Sequence, residues 1–141
     1  MDTYGLLHKK DLRRYFQSLE SRLDLDIIIG YHAHNNFQLG YSNAMEFVNS
    51  RSKHRKVVDA TLYGMGKSAG NDPIELVAMF LNEEHGKRYN LDSIMEAIDN
   101  NIMEIYRKTY WGYSFLYYLA ALNDCHPNYV KNLLEKGTLS V

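Results

Sequence analysis

Asp26-Ile27-Ile28-Ile29-Gly30, running on into Tyr31-His32-Ala33-His34, is the stretch that decides the fold. Its uninterrupted β-branched run is the pattern of a short strand buried on both faces, as parallel strands are. The flanking sequence agrees. Upstream, Leu12, Tyr15, Phe16, Leu19 and Leu23 repeat at helical spacing and lay an apolar stripe along a helix that needs a sheet to cover. Downstream, Phe37, Tyr41, Ala44 and Val48 share one helical face, and Lys56-Val57-Val58-Asp59-Ala60-Thr61-Leu62 reads as the next strand. Asp72-Pro73-Ile74-Glu75 offers a capping residue, a proline at the first helical position and a carboxylate at the third, which predicts a helix ending before Gly86.

Beyond about residue 88 the pattern changes. No further strand run occurs, while Leu91, Ile94, Met95, Ile98, Ile102 and Ile105 hold helical spacing over several turns. Tyr113, Leu116, Tyr117 and Ala120 repeat that spacing, and Pro127 through Lys136 suits a last short helix stopped by Gly137. The expected architecture is α/β: right-handed β-α-β units in a mostly parallel sheet over residues 1–88, followed by an all-helical region over residues 89–141.

Composition narrows the function classes. The chain has 141 residues, enough for one ordinary domain, and 45% apolar with 23% charged residues is a globular balance. A net charge of -1 without any run of like charges gives no electrostatic case for nucleic acid or an anionic membrane surface. No apolar run approaches the roughly 20 residues of a membrane span. The single cysteine, Cys125, makes no internal disulfide, and the start lacks the order of a secretion signal, so the cytoplasm is the expected compartment.

Several residues could carry chemistry. His32 and His34 stand two apart, so on an extended strand both side chains leave one face and can converge on one ion; the plainer reading is two partly buried, hydrogen-bonded histidines. Their place at the end of an apolar strand favours the metal reading, because parallel α/β folds bind ligands at the carboxyl ends of their strands. Gly64 to Asn71 forms a glycine-rich connection into a helix, where backbone N–H groups could hold an anion, or which is simply a turn; it has neither the phosphate-loop nor the dinucleotide glycine pattern. Asn71 could add an oxygen ligand or be an ordinary turn residue. Two histidines and an asparagine still lack the carboxylate such a site usually has, and Asp59 and Asp2 are as readily structural. Cys125 beside His126 is a poor candidate nucleophile pair, since adjacent residues do not face each other on a helix.

Three ordered segments carry a resemblance: Gly30-Tyr31-His32-Ala33-His34-Asn35-Asn36, then Val58-Asp59-Ala60-Thr61-Leu62-Tyr63-Gly64-Met65-Gly66, then Ala69-Gly70-Asn71. Over roughly Met1 to Leu81 the sequence resembles the DRE-TIM metallolyases, the HMGL-like or pyruvate carboxyltransferase domain proteins. That resemblance implies a (β/α)8 barrel in which a divalent ion, manganese or magnesium, helps stabilise an enolate while a carbon–carbon bond is made or broken beside a 2-oxo acid or acyl-CoA. By the same resemblance His32 and His34 are metal ligands, with Asn71 a further ligand in some branches. Tyr110-Trp111-Gly112-Tyr113-Ser114-Phe115 and the helices after it look most like the 4-hydroxy-2-oxovalerate aldolases, which makes Tyr113 the match for a tyrosine that reaches the active site. The other reading of Tyr113 is an aromatic helix face packed on the barrel.

The sequence departs from the family in lacking its Asp-Arg-Glu motif. Met1-Asp2-Thr3-Tyr4-Gly5 resembles the end of a later barrel strand, so the expectation is the C-terminal part of a barrel, with about three of its strands, followed by the helical region. Two functions follow as expectations. One is the C-terminal portion of a metal-dependent aldolase or lyase acting on a 2-oxo acid or its aldol, inactive alone. The other is a noncatalytic remnant or split subunit that docks on a complementary barrel segment or on another copy through open strand edges.

Overall fold

The computed structural model describes residues 2 and 4–137. Met1 and Thr3 of the opening motif, and the last four residues of the helical region, 138–141, lie outside the described residues. Helix α1 (Lys9–Glu20) leads into strand β1 (Ile29–Tyr31), helix α2 (Gly40–Asn49), strand β2 (Lys56–Val58) and helix α3 (Ile74–His85). The two strands pair in parallel, Ile29 opposite Lys56, Gly30 opposite Val57 and Tyr31 opposite Val58, with α2 as the crossover. Asp2 adds a single parallel bridge to Ala33 beside β1. The fold is therefore α/β with a small parallel sheet, narrower than the three strands expected.

The strands are shorter than the apolar runs. The chain is still turning at Asp24–Ile27, where the Ile27 N–H donates to the Asp24 carbonyl at 3.0 Å, and the ladder opens only with Ile29 N–H on Arg55 at 3.0 Å. Ile27 and Ile28 are each 43% exposed, so the strand expected from Asp26 starts three residues later. β2 stops at Val58 for a comparable reason: Thr61 turns to bridge Pro73, and Leu62–Gly64 winds into a 3-10 turn.

One core lies between the helices and the sheet. Leu12 and Phe16 of α1, Ile29, Tyr31 and Ala33 along the strand, and Ala44 and Phe47 of α2 are buried together. Phe47 meets Phe16 edge-on at 5.2 Å and Tyr31 at 5.6 Å. Each such large side chain contributes about 1.5–3 kcal/mol on burial. The stripe on α1 is only half covered, because Tyr15 and Leu19 stay exposed.

The C-terminal region is helical, as expected: α4 (Leu91–Ala97), a π turn (Ile98–Ile102), α5 (Met103–Lys108), α6 (Phe115–Leu122) and α7 (Pro127–Glu135). Ile98, Ile102 and Trp111 form a second buried cluster that also gathers Leu62, so the tail packs on the turn after β2. Tyr113 does not lie on a helix face. Ser114 caps α6, its Oγ accepting the Leu116 N–H at 3.3 Å, which leaves Tyr113 in the connection before it. The expected cap of α3 is also shifted. Pro73 occupies the cap position with extended backbone, and Asp72 stands one residue further out, where its side chain caps nothing. Among the described residues, no helix is long and apolar enough to cross a membrane.

Candidate metal centre

His32 and His34 stand at the exit of β1 with ring centroids 5.5 Å apart and planes at 75°. Strand alternation sends both to the face opposite Tyr31 and Ala33, which pack against the helices. His32 Nδ1 lies 3.3 Å from Asp59 Oδ2, a carboxylate contact of the kind that orients a metal-binding imidazole with its Nε2 toward the ion. Burial, and then the neighbouring His32, push the His34 pKa below the ordinary histidine value. His34 is thereby kept in the neutral form that binds metals.

Asn71 joins this pair through the backbone. It faces His34 across an antiparallel bridge, and the next rung is the Asn35 N–H on the Gly70 carbonyl at 2.9 Å. Residues directly opposite in such a pair share a face, with Cβ atoms about 5 Å apart. The Asn71 Nδ2 donates to the Met65 carbonyl at 3.1 Å, which fixes the orientation of the amide. The remaining Oδ1 is buried with no hydrogen-bond partner, an arrangement that costs about 1–3 kcal/mol unless a donor or cation meets it. Two imidazoles and this oxygen fit a divalent ion as a nitrogen, nitrogen and oxygen donor set.

The carboxylates nearby have other work. Asp59 serves His32, and Asp2 accepts the Leu6 and Leu7 N–H groups at 3.0 and 3.1 Å. Burial raises the Asp2 pKa, opposed by those two hydrogen bonds and by His34. Among the described residues, no group of three or more His, Cys, Asp or Glu side chains comes together as a metal cage.

The glycine-rich connection is a self-bonded turn rather than an open anion cradle. Its Gly64, Met65, Gly70 and Asn71 N–H groups donate to carbonyls of residues 61–67, and Ala69 N–H donates to Asn36 Oδ1 at 3.2 Å. Gly66 is small for a reason: a Cβ there would stand 2.8 Å from the Asn71 amide. Its packing holds the candidate ligand in place.

Asp72 is the residue that sequence reasoning missed. Alternation turns it away from the histidine face, and it is fully buried, at 0% exposure, with neither carboxylate oxygen hydrogen-bonded. Its Oδ1 lies against Gly40 at the start of α2, where a Cβ would fall 2.0 Å away. Burial, reinforced by Asp2, pushes its carboxyl up to about 7. Asp-Pro ahead of a helix reads as an ordinary cap, so nothing in the residue order marks this burial.

The structure places Tyr113 and Asn71 on one open cavity of about 200 Å³, together with Tyr63, Tyr106, Tyr110 and Trp111, but the two histidines are not in its lining. The tail is fastened here by the Trp111 Nε1–H donating to the Tyr63 carbonyl at 2.9 Å and the Gly112 N–H donating to Ser68 at 3.3 Å. Cys125 is exposed, and the His126 Nδ1 accepts the Asn128 N–H at 3.0 Å as the cap of α7, so the two do not form a nucleophile pair.

The HMGL-like family model matches residues 1–101. The chain is 29% identical over 146 aligned positions to the oxaloacetate decarboxylase of Mycobacterium tuberculosis (strain ATCC 25618 / H37Rv), with 100% of this chain and 41% of that protein covered. It is 38% identical over 100 residues to 4-hydroxy-2-oxovalerate aldolase 2 of Salinispora arenicola (strain CNS-205), covering 70% of this chain and 27% of that one. The crystal structure of the N-terminal domain of a candidate aldolase from Bacteroides vulgatus superposes with a TM-score of 0.79 at 26% identity, over 94% of this chain and 42% of that one. The chain thus spans less than half the length of each of these relatives.

Proposed function

Because the chain belongs to the HMGL-like family, we propose that it is the C-terminal part of a divalent-metal-dependent aldolase or lyase that cleaves or forms a carbon–carbon bond beside a 2-oxo acid, and that it is inactive or nearly so alone. The observation that carries this reading is the meeting of His32, His34 and the unpartnered Asn71 Oδ1 on one face at the exit of β1. When the bond to a 2-oxo acid breaks, its electron pair moves onto the keto oxygen, and a bound divalent ion, manganese or magnesium, supplies the positive charge that stabilises it there. This chain's own part is to hold the ion through the two imidazoles and the amide oxygen, with Asp59 keeping His32 oriented. The parallel β-α-β unit is assigned to a (β/α)8 barrel, an assignment supported by the likeness to an aldolase domain.

Manganese binding followed by the loss of the free-ion paramagnetic resonance signal tests the site. The purified 141-residue protein binds manganese weakly, and the paired substitution His32→Ala and His34→Ala abolishes that binding. No pyruvate is released from 4-hydroxy-2-oxovalerate by the chain alone. Unchanged manganese binding in the double variant overturns the metal site, and robust turnover overturns the inactivity.

A second reading is a subunit or remnant that docks on a complementary barrel segment or a second copy. It is favoured by an open, largely apolar cavity of about 380 Å³ whose wall includes the exposed Tyr15 and Leu19, with Asp2 and Gly30 but no residue of β2. That places the cavity along the sparsely paired edge of β1, where a further strand would find unpaired backbone. Light scattering coupled to gel filtration, with a thermal melt of the same sample, decides: a sharply melting monomer excludes this reading.

A further inference from the structure

The cavity beside Asn71 is built on a different principle from the histidine face. Its lining includes five aromatic residues, Tyr63, Tyr106, Tyr110, Trp111 and Tyr113, beside the amides of Asn35, Gln38 and Asn71, and no residue of it carries a charge at neutral pH. A carboxylate entering such a site would lose part of its water without gaining a counter-charge, so the acid end of a substrate is disfavoured there. A neutral ring is not. A cavity of about 150 Å³ is enough to hold benzene in a protein interior, and this one measures about 200 Å³.

The rings are also set in place in advance. Tyr106 stands edge-on to Tyr63 at 5.1 Å and to Trp111 at 4.9 Å, with Tyr110 at 5.0 Å. Tyr63 holds a left-handed backbone, φ 53 and ψ 30, which costs a residue with a Cβ about 1–2 kcal/mol. The surroundings hold it there from both sides: its N–H donates to Glu75 Oε2 at 3.1 Å and its carbonyl accepts the Trp111 indole at 2.9 Å. Strain maintained by a specific clamp is characteristic of binding sites.

We propose that this tyrosine-walled cavity binds the aromatic substituent of the aldehyde partner, so that the site prefers aryl aldehydes to short aliphatic ones. The inference rests on the aldolase reading above, because Asn71 is shared between the cavity and the candidate metal centre and would set the aldehyde carbonyl beside it. The keto acid is left to the histidine-bearing side, where the ion would be held. Edge-to-face and stacked contacts with two or three rings, each worth about 0.5–1.5 kcal/mol beyond area, supply the discrimination.

The sequence contains one tryptophan, so nitrogen-15 spectra of the full 141-residue chain show one indole N–H resonance, and it comes from the wall of this cavity. In EDTA, benzaldehyde is expected to shift that resonance saturably, while acetaldehyde, which carries the same carbonyl without the ring, leaves it in place. Tyr106→Ala weakens benzaldehyde binding roughly tenfold. Tyr110→Ala, at a more exposed position where the fold is spared, weakens it by a smaller but measurable factor. His32→Ala leaves the shift unchanged, which separates this inference from the metal reading. A non-saturating shift, an equal response to acetaldehyde, or indifference to both tyrosine variants overturns it.

Discussion

Asn71 faces His34 across an antiparallel bridge while its neighbour Asp72 is turned to the opposite side of the chain, fully buried against Gly40. One dipeptide thus serves two surfaces. Asn71 carries an unpartnered oxygen on the side it shares with His34, and Asp72 presents an unpartnered carboxyl to the helix layer.

The Asn71 oxygen is expected to matter for the ion and little for the fold. Asn71→Ala removes that oxygen together with the hydrogen bond to Met65. Loss of one ligand from the set lowers manganese affinity by roughly tenfold or more, read by paramagnetic resonance titration. Asn71→Asp, which keeps the oxygen and adds charge, is expected to retain or raise the affinity. If both variants bind as the parent does, Asn71 is not a ligand.

Asp72 predicts a pH dependence of stability with a definite sign. Its carboxyl titrates near 7 when folded, against 3.8 as the ordinary value. The folded chain therefore keeps its proton where the unfolded chain has lost it, and the unfolded state gains as pH rises from about 4 to about 7. The stability present below the unfolded value is lost across that window, on the order of 4 kcal/mol as an upper bound, and is flat above it. Asp72→Asn removes the titration. Melting of metal-free protein in EDTA should show the variant gaining on the parent by several degrees between pH 4.5 and 7.5. A constant difference over that range would show that Asp72 is ionised in the fold.

Much of this arrangement was legible in the residue order. The α1 stripe, the β1–α2–β2 unit and the helical tail are all encoded in apolar spacing, because each element has to cover its neighbour. The histidine pair was legible for the same reason, since strand alternation alone puts residues two apart on one face. Strand lengths were not, because the turn at Asp24–Ile27 delays pairing without any glycine or proline to announce it. Neither was the Trp111–Tyr63 hydrogen bond, which spans 48 positions and depends on how the tail folds back. Asp72 was misread as a cap because the dipeptide is correct for one; only the bridge from Thr61 to Pro73 shows that the chain is still extended there.

Lys56 is expected to be a major support of α2. Its ammonium donates to the carbonyls of Phe47, Val48 and Ser50 at 3.0, 2.5 and 2.6 Å, closing the carboxyl end of the helix, while it lies over the Phe47 ring at 5.6 Å. Lys56→Met keeps the stem packing and leaves those carbonyls without their charged donor. The expected loss is about 1.5–3 kcal/mol by urea denaturation, with the midpoint moved and the slope unchanged. Lys56→Arg should lose less. Equal losses for both variants would assign the effect to packing.

Gly70 and Gly86 both adopt left-handed backbone, φ +80 and +60, yet alanine should affect them very differently. At Gly86 a Cβ meets nothing within 4 Å, so the cost of Gly86→Ala is the strain alone, about 1–2 kcal/mol. At Gly70 the same Cβ would lie 2.2 Å from the Gly64 carbonyl oxygen and 3.2 Å from the Trp111 ring, and backbone must move. That movement pulls on the Gly70 carbonyl, which accepts the Asn35 N–H at 2.9 Å beside the His34–Asn71 bridge. Gly70→Ala is therefore expected to cost distinctly more stability than Gly86→Ala and also to weaken manganese binding, which Gly86→Ala leaves intact. The two measurements separate strain from register. If Gly70→Ala lowers the melting temperature but binds manganese as the parent does, the loop does not position Asn71.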